Sequence, residues 1–241
     1  IRFVWRMTKE DFLVHSKYFF AAVLCALVLA GCGHSAAEET SAPAEPAPVI
    51  SVACVGDSNT EGYGATGYPS FLAERLGDGY IVDNYGVSGT TAMYSGDYPY
   101  STTTHYDASV ATKPDIVVLM FGTNDTNDAS WRCVETFSAE YDKLVRTYVE
   151  LESKPRVIIC TPPAPHLEEQ HTWRTYGIQP AVYDSMNAAI AETAETYDLT
   201  LVDIYGLTKD HPEWFLDDGI HLTDEGASAV ADAVAEAVLT D

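Results

Sequence analysis

The sequence predicts an α/β fold in which helices cover both faces of a parallel five-stranded sheet. Two observations support this prediction: short apolar runs alternate with stretches of helical spacing, and the apolar runs are continuous rather than alternating with polar residues. The predicted strands cover residues 49–55, 80–85, 115–121, 156–161 and 201–204. The predicted helices cover residues 68–76, 134–151, 180–197 and 223–239.

The apolar runs also determine how the predicted layers are arranged. A strand such as residues 115–121 (DIVVLMF) is apolar at almost every position and therefore needs cover on both faces. Right-handed crossovers between such strands give a doubly wound, flavodoxin-like α/β/α sandwich of three layers. In this architecture functional residues lie in the loops beyond the carboxyl ends of the strands, so chemistry is expected directly after the apolar runs.

Length and charge restrict the class of protein. The chain has 241 residues, of which 46% are hydrophobic, and this suffices for one domain with a packed core. The formal net charge of −23 repels phosphate backbones and argues against nucleic acid as a partner. No cysteine pair and no Cys/His cluster has the spacing of a zinc site, so no metal is expected.

Three of the five cysteines fall in the predicted domain. Cys54 and Cys160 lie in or at the end of apolar runs, which predicts buried free thiols. A disulfide that involves Cys133 stays open as an alternative, because disulfides persist outside the cytoplasm.

The first 32 residues predict a targeting signal rather than part of the fold. Basic residues precede an apolar run at 18–29, which is shorter than the about 20 residues of a spanning helix. The run leads into LAGC at 29–32, which resembles the lipobox of bacterial lipoproteins, where the cysteine carries the lipid. We therefore expect a signal peptide over 1–32, lipidation of Cys32 and an extracytoplasmic protein anchored to the bacterial membrane. An ordinary secretory signal or a short anchor helix is the alternative.

Residues 33–48 (GHSAAEETSAPAEPAP) contain no large apolar side chain. Such a segment cannot bury enough surface to offset the entropy that ordering would cost. It is expected to be a disordered tether, followed by the folded domain over residues 49–241.

Residues 56–62 (GDSNTEG) follow the first predicted strand. Ser58 would lie at a strand-to-helix turn, where backbone N–H groups and the helix dipole favour negative charge. This environment suits a nucleophile whose attack creates an oxyanion. A helix cap formed by Asp57, Ser58 and Asn59 is the alternative.

Three further segments carry complementary chemistry. Residues 84–91 (NYGVSGTT) contain glycines that let a backbone N–H approach a ligand, and residues 122–125 (GTND) offer the side-chain amide of Asn124. His221, before the last helix, is a candidate general base, and Asp218 three residues earlier is suited to orient its ring. Each segment alone has an ordinary turn or cap as its alternative. Together they supply a nucleophile, oxyanion donors and a base with its partner.

These four segments, in this order over about residues 52–226, resemble the four blocks of the SGNH hydrolases, also called GDSL esterases and lipases. The resemblance implies that Ser58 is the nucleophile, His221 the base and Asp218 its partner. It also implies an oxyanion hole made by the backbone N–H groups of Ser58 and Gly89 and by the side chain of Asn124. The implied reaction is acyl transfer to water through an acyl-enzyme, which needs no cofactor.

The nucleophile segment departs from the family name at one position, where Asn59 replaces leucine. Asn59 is expected to affect the shape of the pocket more than the chemistry. The α/β-hydrolase pattern fits less well, because Ser58 lies in GDSNT rather than in G-x-S-x-G and the acid lies beside the histidine.

Aromatic residues in polar loops favour a carbohydrate substrate. Two long loops, 94–106 and 162–179, follow strand ends, and aromatic rings there can stack on sugar rings. We therefore expect a serine esterase that removes an O-acyl group, in the first place O-acetyl, from a carbohydrate. The alternatives are a lysophospholipase or thioesterase of the same family and, in a different class, a non-catalytic surface-binding lipoprotein. The candidate substrate-binding residues are Tyr94, Trp173, Tyr176 and Trp214.

Overall fold

The computed structural model describes residues 48–167 and 176–240. The predicted signal peptide, Cys32, Trp173 and all of the predicted tether except Pro48 lie outside this range. Within it, the strands are β1 (Ile50–Gly56), β2 (Tyr80–Gly86), β3 (Ile116–Met120), β4 (Arg156–Cys160) and β5 (Thr200–Val202). The helices are α1 (Ser58–Glu61), α2 (Tyr68–Leu76), α3 (Thr104–Ala111), α4 (Val134–Val149), α5 (Tyr183–Tyr197), α6 (Ile204–Thr208) and α7 (Asp224–Leu239).

The five strands form one sheet in the order β2-β1-β3-β4-β5, and every neighbouring pair is parallel. The predicted doubly wound sandwich with a five-stranded parallel sheet is therefore confirmed. The chain order reverses at β1, which has β2 on one side and β3 on the other. Open α/β sheets bind ligands at such a switch point, beyond the carboxyl ends of the two diverging strands.

Alternate residues of β3 show how the sheet divides the core into two layers. Ile116, Val118 and Met120 pack into the cluster that α2 and α7 cover. Val117 and Leu119 pack into the opposite cluster, which α4 and α5 cover. Because both faces of the strand are buried, every one of its residues is apolar, and this explains the continuous run in the sequence.

The segment between β2 and β3 differs from its prediction. The sequence predicts a loop over residues 94–106, but α3 begins at Thr104. Thr103 caps this helix, since its hydroxyl oxygen accepts the N–H of Tyr106 at 3.1 Å. Ser109 is the fully buried residue of α3, so the helix has no apolar stripe that the sequence could show.

The last strand is shorter than its predicted range of 201–204. It ends at Val202, and α6 begins at Ile204. Asp203 causes the change, because its carboxylate accepts the N–H of Gly206 at 2.8 Å and caps the new helix.

The cysteines of the described range are free thiols. Cys54 and Cys160 are buried, as their apolar surroundings in the sequence indicate, whereas Cys133 is exposed. Among residues 48–167 and 176–240 there is no helix with the length and hydropathy that a membrane crossing requires.

Candidate active site

Ser58 is the first residue of α1, which follows β1 directly. Asp57 caps this helix, because its carboxylate accepts the N–H of Asn59 at 3.0 Å. Gly56 permits the tight turn, since a Cβ there would lie 2.6 Å from the carbonyl oxygen of Met120 on β3. Ser58 is only 3% exposed, and the N–H groups of a first helical turn have no acceptor within the helix.

The loop before α7 brings His221 against Ser58. The distance from His221 Nε2 to Ser58 Oγ is 3.0 Å, and the distance from His221 Nδ1 to Asp218 Oδ2 is 2.7 Å. An ionised carboxylate only accepts hydrogen bonds, so Nδ1 carries a proton and Nε2 of the neutral ring accepts from the serine hydroxyl. Serine hydrolases activate their nucleophile through a row of groups of this kind.

The loop that carries Asp218 keeps this side chain ionised. Burial opposes ionisation, but the backbone N–H groups of His221 and Ile220 donate to Asp218 Oδ1 at 3.0 and 2.9 Å. With the histidine ring contact, these bonds hold the pKa of the Asp218 carboxyl below its usual value. The ring contact is made by Asp218 and not by Asp217, which is exposed.

Gly89 and Asn124 line the same cavity as Ser58. Gly89 has a φ of +80°, in the left-handed region that glycine adopts without strain. The Asn124 side-chain nitrogen donates to the carbonyl oxygen of Thr90 at 3.0 Å, which fixes the amide against the loop after β2. An amide nitrogen has two hydrogens, so the second is left for a ligand.

Asn59 joins the nucleophile turn to the histidine loop. Its side-chain nitrogen donates to the carbonyl oxygen of Ile220 at 3.3 Å, and its side-chain oxygen accepts the N–H of Leu222 at 3.1 Å. These two backbone groups flank His221. Asn59 is 4% exposed, so its main contribution is a double bridge between two site loops rather than the shape of the pocket that the sequence suggested.

Glu61 joins the helix that begins at Ser58 to the loop after β2. Its carboxylate accepts the backbone N–H of Ser88 at 2.7 Å and also accepts from the Ser88 hydroxyl. The side-chain nitrogen of Asn84 donates to the carbonyl oxygen of Thr60 at 2.9 Å. The segment that precedes Gly89 is therefore tied to the helix that begins at Ser58. The sequence did not indicate the contacts that Glu61 and Asn59 make, because their partners lie on distant segments.

Two tyrosine rings border the histidine. The ring of Tyr63 lies 4.3 Å from the ring of His221, centroid to centroid, and that of Tyr176 lies 6.0 Å away and nearly perpendicular. Both rings line the cavity of about 230 Å³ into which Ser58 opens, and Ile178 and Ile220 supply apolar wall. The sequence signalled Tyr176, whereas Tyr63 was missed because it lies in a short turn after the nucleophile helix.

The other described aromatic candidates for substrate binding lie away from the cavity at Ser58. Tyr94 packs against the core under Lys143, whose Nζ lies 3.6 Å from the ring centroid, and Trp214 stacks on His211 with the centroids 3.8 Å apart. Neither ring lines the cavity at Ser58. The structure therefore brings Tyr176 to the site and leaves Tyr94 and Trp214 in packing contacts elsewhere.

Two buried carboxyl groups lie on the segments that carry Ser58 and Asn124. Burial raises the pKa of Asp57 to about 7 and that of Asp125 to about 6. Asp125 accepts the N–H groups of Ala92 and Met93 at 3.0 and 2.8 Å, whereas Asp57 Oδ2 is buried without a hydrogen-bond partner. In the described part of the chain, no three His, Cys, Asp or Glu residues are grouped so that they could hold a metal ion.

A doubly wound sandwich with serine, histidine and aspartate in hydrogen-bond contact at its switch point has the architecture of a serine hydrolase. The model of the GDSL-like lipase/acylhydrolase family matches residues 54–229. The chain belongs to this family, and the resemblance to SGNH hydrolases that the four segments carry is confirmed.

Relatives of known name agree with this assignment. An acetylxylan esterase of Xylanibacter ruminicola is 30% identical over 221 residues, covering 82% of this chain and 45% of the relative, so the chain spans less than half of that protein. Among solved structures, native M. smegmatis aryl esterase has a TM-score of 0.66 at 21% identity, covering 79% of this chain and 98% of its own. A carbohydrate acetylesterase family member from Sinorhizobium meliloti has a TM-score of 0.61 at 21% identity, covering 79% and 97%. The two structures share the fold of this chain.

Proposed function

We propose that this chain is a serine esterase that removes O-acetyl groups from a carbohydrate. The observation that carries the proposal is the row of hydrogen bonds from Asp218 through His221 to Ser58, at the wall of a small cavity that Gly89 and Asn124 also line. Membership of an acylhydrolase family and the similarity to an acetylxylan esterase support it.

The geometry accounts for both halves of the reaction. His221 Nε2 takes the proton of Ser58 Oγ as the hydroxyl attacks the ester carbonyl, and the imidazolium then gives that proton to the leaving alcohol. The N–H groups of Ser58 and Gly89 and the second amide hydrogen of Asn124 stabilise the oxyanion. Asp218 keeps the ring in its tautomer and stabilises its positive charge. Water then attacks the acyl-enzyme by the same route.

The size of the cavity favours a short acyl group. Its volume of about 230 Å³ lies below the range of about 300–1,000 Å³ that is typical of pockets for drug-sized ligands. The cavity must hold the ester carbonyl as well as the acyl chain. This space favours an acetyl group over the long acyl chain that the lysophospholipase and thioesterase alternative requires.

The first prediction concerns Ser58. Ser58→Ala should lower kcat/KM for p-nitrophenyl acetate by about 10⁴-fold or more, because the nucleophile is lost while the fold is retained. Ser70→Ala, at an exposed position on α2, is the matched control and should keep wild-type activity. Circular dichroism checks that both variants are folded. If Ser58→Ala were about as active as Ser70→Ala, Ser58 would not be the nucleophile.

The same preparations separate the alternatives. A fluorophosphonate probe should label the wild type and not Ser58→Ala, whereas a non-catalytic surface-binding protein would not be labelled. The wild type should prefer the acetyl to the dodecanoyl p-nitrophenyl ester, because the cavity is small. A preference for the dodecanoyl ester would favour the lipase or thioesterase alternative.

We further propose that the domain is extracytoplasmic and is anchored to a bacterial membrane through a lipid on Cys32. Three features of the sequence support this: the basic residues, the apolar run at 18–29 and the LAGC segment at 29–32. Residues 33–48 would separate the enzyme from the membrane and leave its cavity open to a polymeric substrate.

The second prediction concerns this anchor. In a bacterial host that processes lipoproteins, the wild type should incorporate labelled palmitate and sediment with membranes. Cys32→Ser should lose both properties, because the serine hydroxyl does not replace the thiol that is lipidated. Cys25→Ser, within the apolar run, is the matched control. Labelled palmitate in the Cys32→Ser protein would contradict the proposed lipid site.

A further inference from the structure

Two recesses share the tyrosine rings that lie beside the histidine. The inner one is the cavity of about 230 Å³ at Ser58, and the outer one is an open groove of about 560 Å³. Tyr63 and Tyr176 line both, so the two recesses adjoin at these rings. The other described residues that line the outer groove are Phe215, Leu216, Asp217, Asp218 and Thr223.

The tyrosines present exposed ring surface at this junction. Tyr63 is 50% exposed and Tyr176 is 57% exposed, although each has a ring contact with His221. Tyr63 follows Gly62, which ends α1 with a φ of +98° and turns the chain toward the histidine loop. Half-exposed aromatic rings beside a reaction centre can offer ring surface to a ligand.

The chemistry of acyl transfer assigns different parts of the ester to the two recesses. The oxyanion donors at Gly89 and Asn124 line the inner cavity alone, so the carbonyl and the acyl group belong there. The leaving oxygen must lie close to His221 Nε2, which protonates it. The alcohol part of the ester therefore extends past the histidine, where the neighbouring rings of Tyr63 and Tyr176 border the outer groove.

We propose that the outer groove is the subsite for the alcohol part of the ester and that it takes a neutral sugar; this inference rests on the proposed esterase function. Its volume lies within the range of ligand pockets, unlike that of the inner cavity. Ring faces of Tyr63 and Tyr176 suit the apolar faces of a sugar ring, and Asp217 and Thr223 supply oxygens for sugar hydroxyls.

The charge of the groove makes the inference more specific. Asp217 and the ionised Asp218 line it, and no Lys or Arg is among its described lining residues. The chain as a whole has a formal charge of −23. A uronic or sialic acid would place a carboxylate against these groups and would be repelled, whereas a neutral sugar would not.

The stacking part of the proposal is tested by replacing the ring of Tyr63. We compare kcat/KM for a singly acetylated xylo-oligosaccharide with kcat/KM for ethyl acetate, whose alcohol is too short to occupy the groove. Tyr63→Leu should lower the ratio of the two values by about tenfold, chiefly through KM, because the leucine keeps bulk but removes the ring face. Tyr63→Phe keeps the ring and should restore the ratio. Equal ratios in Tyr63→Leu and the wild type would overturn the stacking role.

The charge part is tested with an acetylated oligogalacturonate at low salt. For the wild type, kcat/KM should be about tenfold or more higher for the neutral ester than for the anionic one, and this ratio should fall as salt screens the carboxylates. Asp217→Asn should also lower the ratio, whereas Asp78→Asn, an exposed control in the turn before β2, should leave it unchanged. An equal or higher kcat/KM for the anionic ester would overturn the choice of a neutral sugar.

A binding measurement separates this inference from the proposed function. Ser58→Ala cannot turn over, so calorimetry with an unacetylated xylo-oligosaccharide reports on the groove alone. If this protein binds the oligosaccharide, and Tyr63→Leu weakens that binding, the subsite is supported even where no esterase activity is found. A wild type that hydrolyses ethyl acetate, combined with a Ser58→Ala protein that binds no sugar, would overturn the subsite and leave the esterase intact.

Discussion

Asn59 shows how one residue can control a site without reacting. It follows Ser58 in the chain, and its amide binds the backbone on both sides of His221. The leucine that the family name implies at this position could make neither bond. In this chain the distance between nucleophile and base therefore depends on two hydrogen bonds that are almost fully buried.

Replacing Asn59 tests this positioning role. Asn59→Leu should lower kcat for p-nitrophenyl acetate by about 10- to 100-fold with little change in KM, because the backbone groups of Ile220 and Leu222 lose their partners and the base shifts. Asn59→Asp keeps the acceptor for Leu222 and should fall between the wild type and Asn59→Leu. The rate of fluorophosphonate labelling measures the reactivity of Ser58 directly.

A purely structural role of Asn59 would give a different result. A merely structural contribution would lower the melting temperature of Asn59→Leu and leave the labelling rate of the folded protein at the wild-type value. A changed pH profile of kcat/KM in Asn59→Leu would instead show that the environment of His221 has altered.

At the scale of elements, the strands that helices cover on both faces were the easiest to predict from the sequence. Strands β1, β3 and β4 are largely apolar because helices cover them on both sides, so their positions could be predicted within one residue. The helix α3 was not predicted, because it lies on the surface with one fully buried residue. Its start depends on the side-chain cap of Thr103, which leaves no periodic pattern.

The residues of the site also differ in how far the sequence could predict them. The residues Ser58, Gly89 and Asn124 follow strand ends, and the sheet topology collects such positions at one edge, so the pattern of the sequence could suggest them together. The roles of Asn59, Glu61 and Tyr63 depend on contacts with segments far away in sequence, such as the bond from Asn59 to Ile220. No short stretch of the sequence shows which distant residues these side chains contact.

At the scale of the whole molecule, acidic residues have two opposite roles. As a group they give the chain its formal charge of −23, but Asp57 and Asp125 are buried at the carboxyl edge of the sheet, where burial raises their pKa values and opposes ionisation. Asp125 holds the backbone of the loop that contains Ala92 and Met93. Asp57 caps the nucleophile helix with one oxygen and leaves the other without a partner.

Asp57 should therefore make the stability of the protein depend on pH. Burial raises its pKa from 3.8 to about 7, so between these values the folded protein holds a proton that the unfolded chain has released. The free energy of unfolding then falls with rising pH, by about 1.4 kcal/mol per pH unit for one full proton. The contribution is complete below pH 3.8 and is lost as the pH rises through about 7.

Asp57→Asn should remove this contribution while keeping the cap, because asparagine is as good an N-cap as aspartate. Urea unfolding from pH 4 to pH 8 measures the free energy of unfolding of both proteins. The value for Asp57→Asn minus that for the wild type should rise across this range. The exposed control Asp78→Asn should not show this rise, because folding does not bury its carboxyl group. A difference for Asp57→Asn that stays constant from pH 4 to pH 8 would show that folding does not raise the pKa of Asp57, and would contradict the prediction.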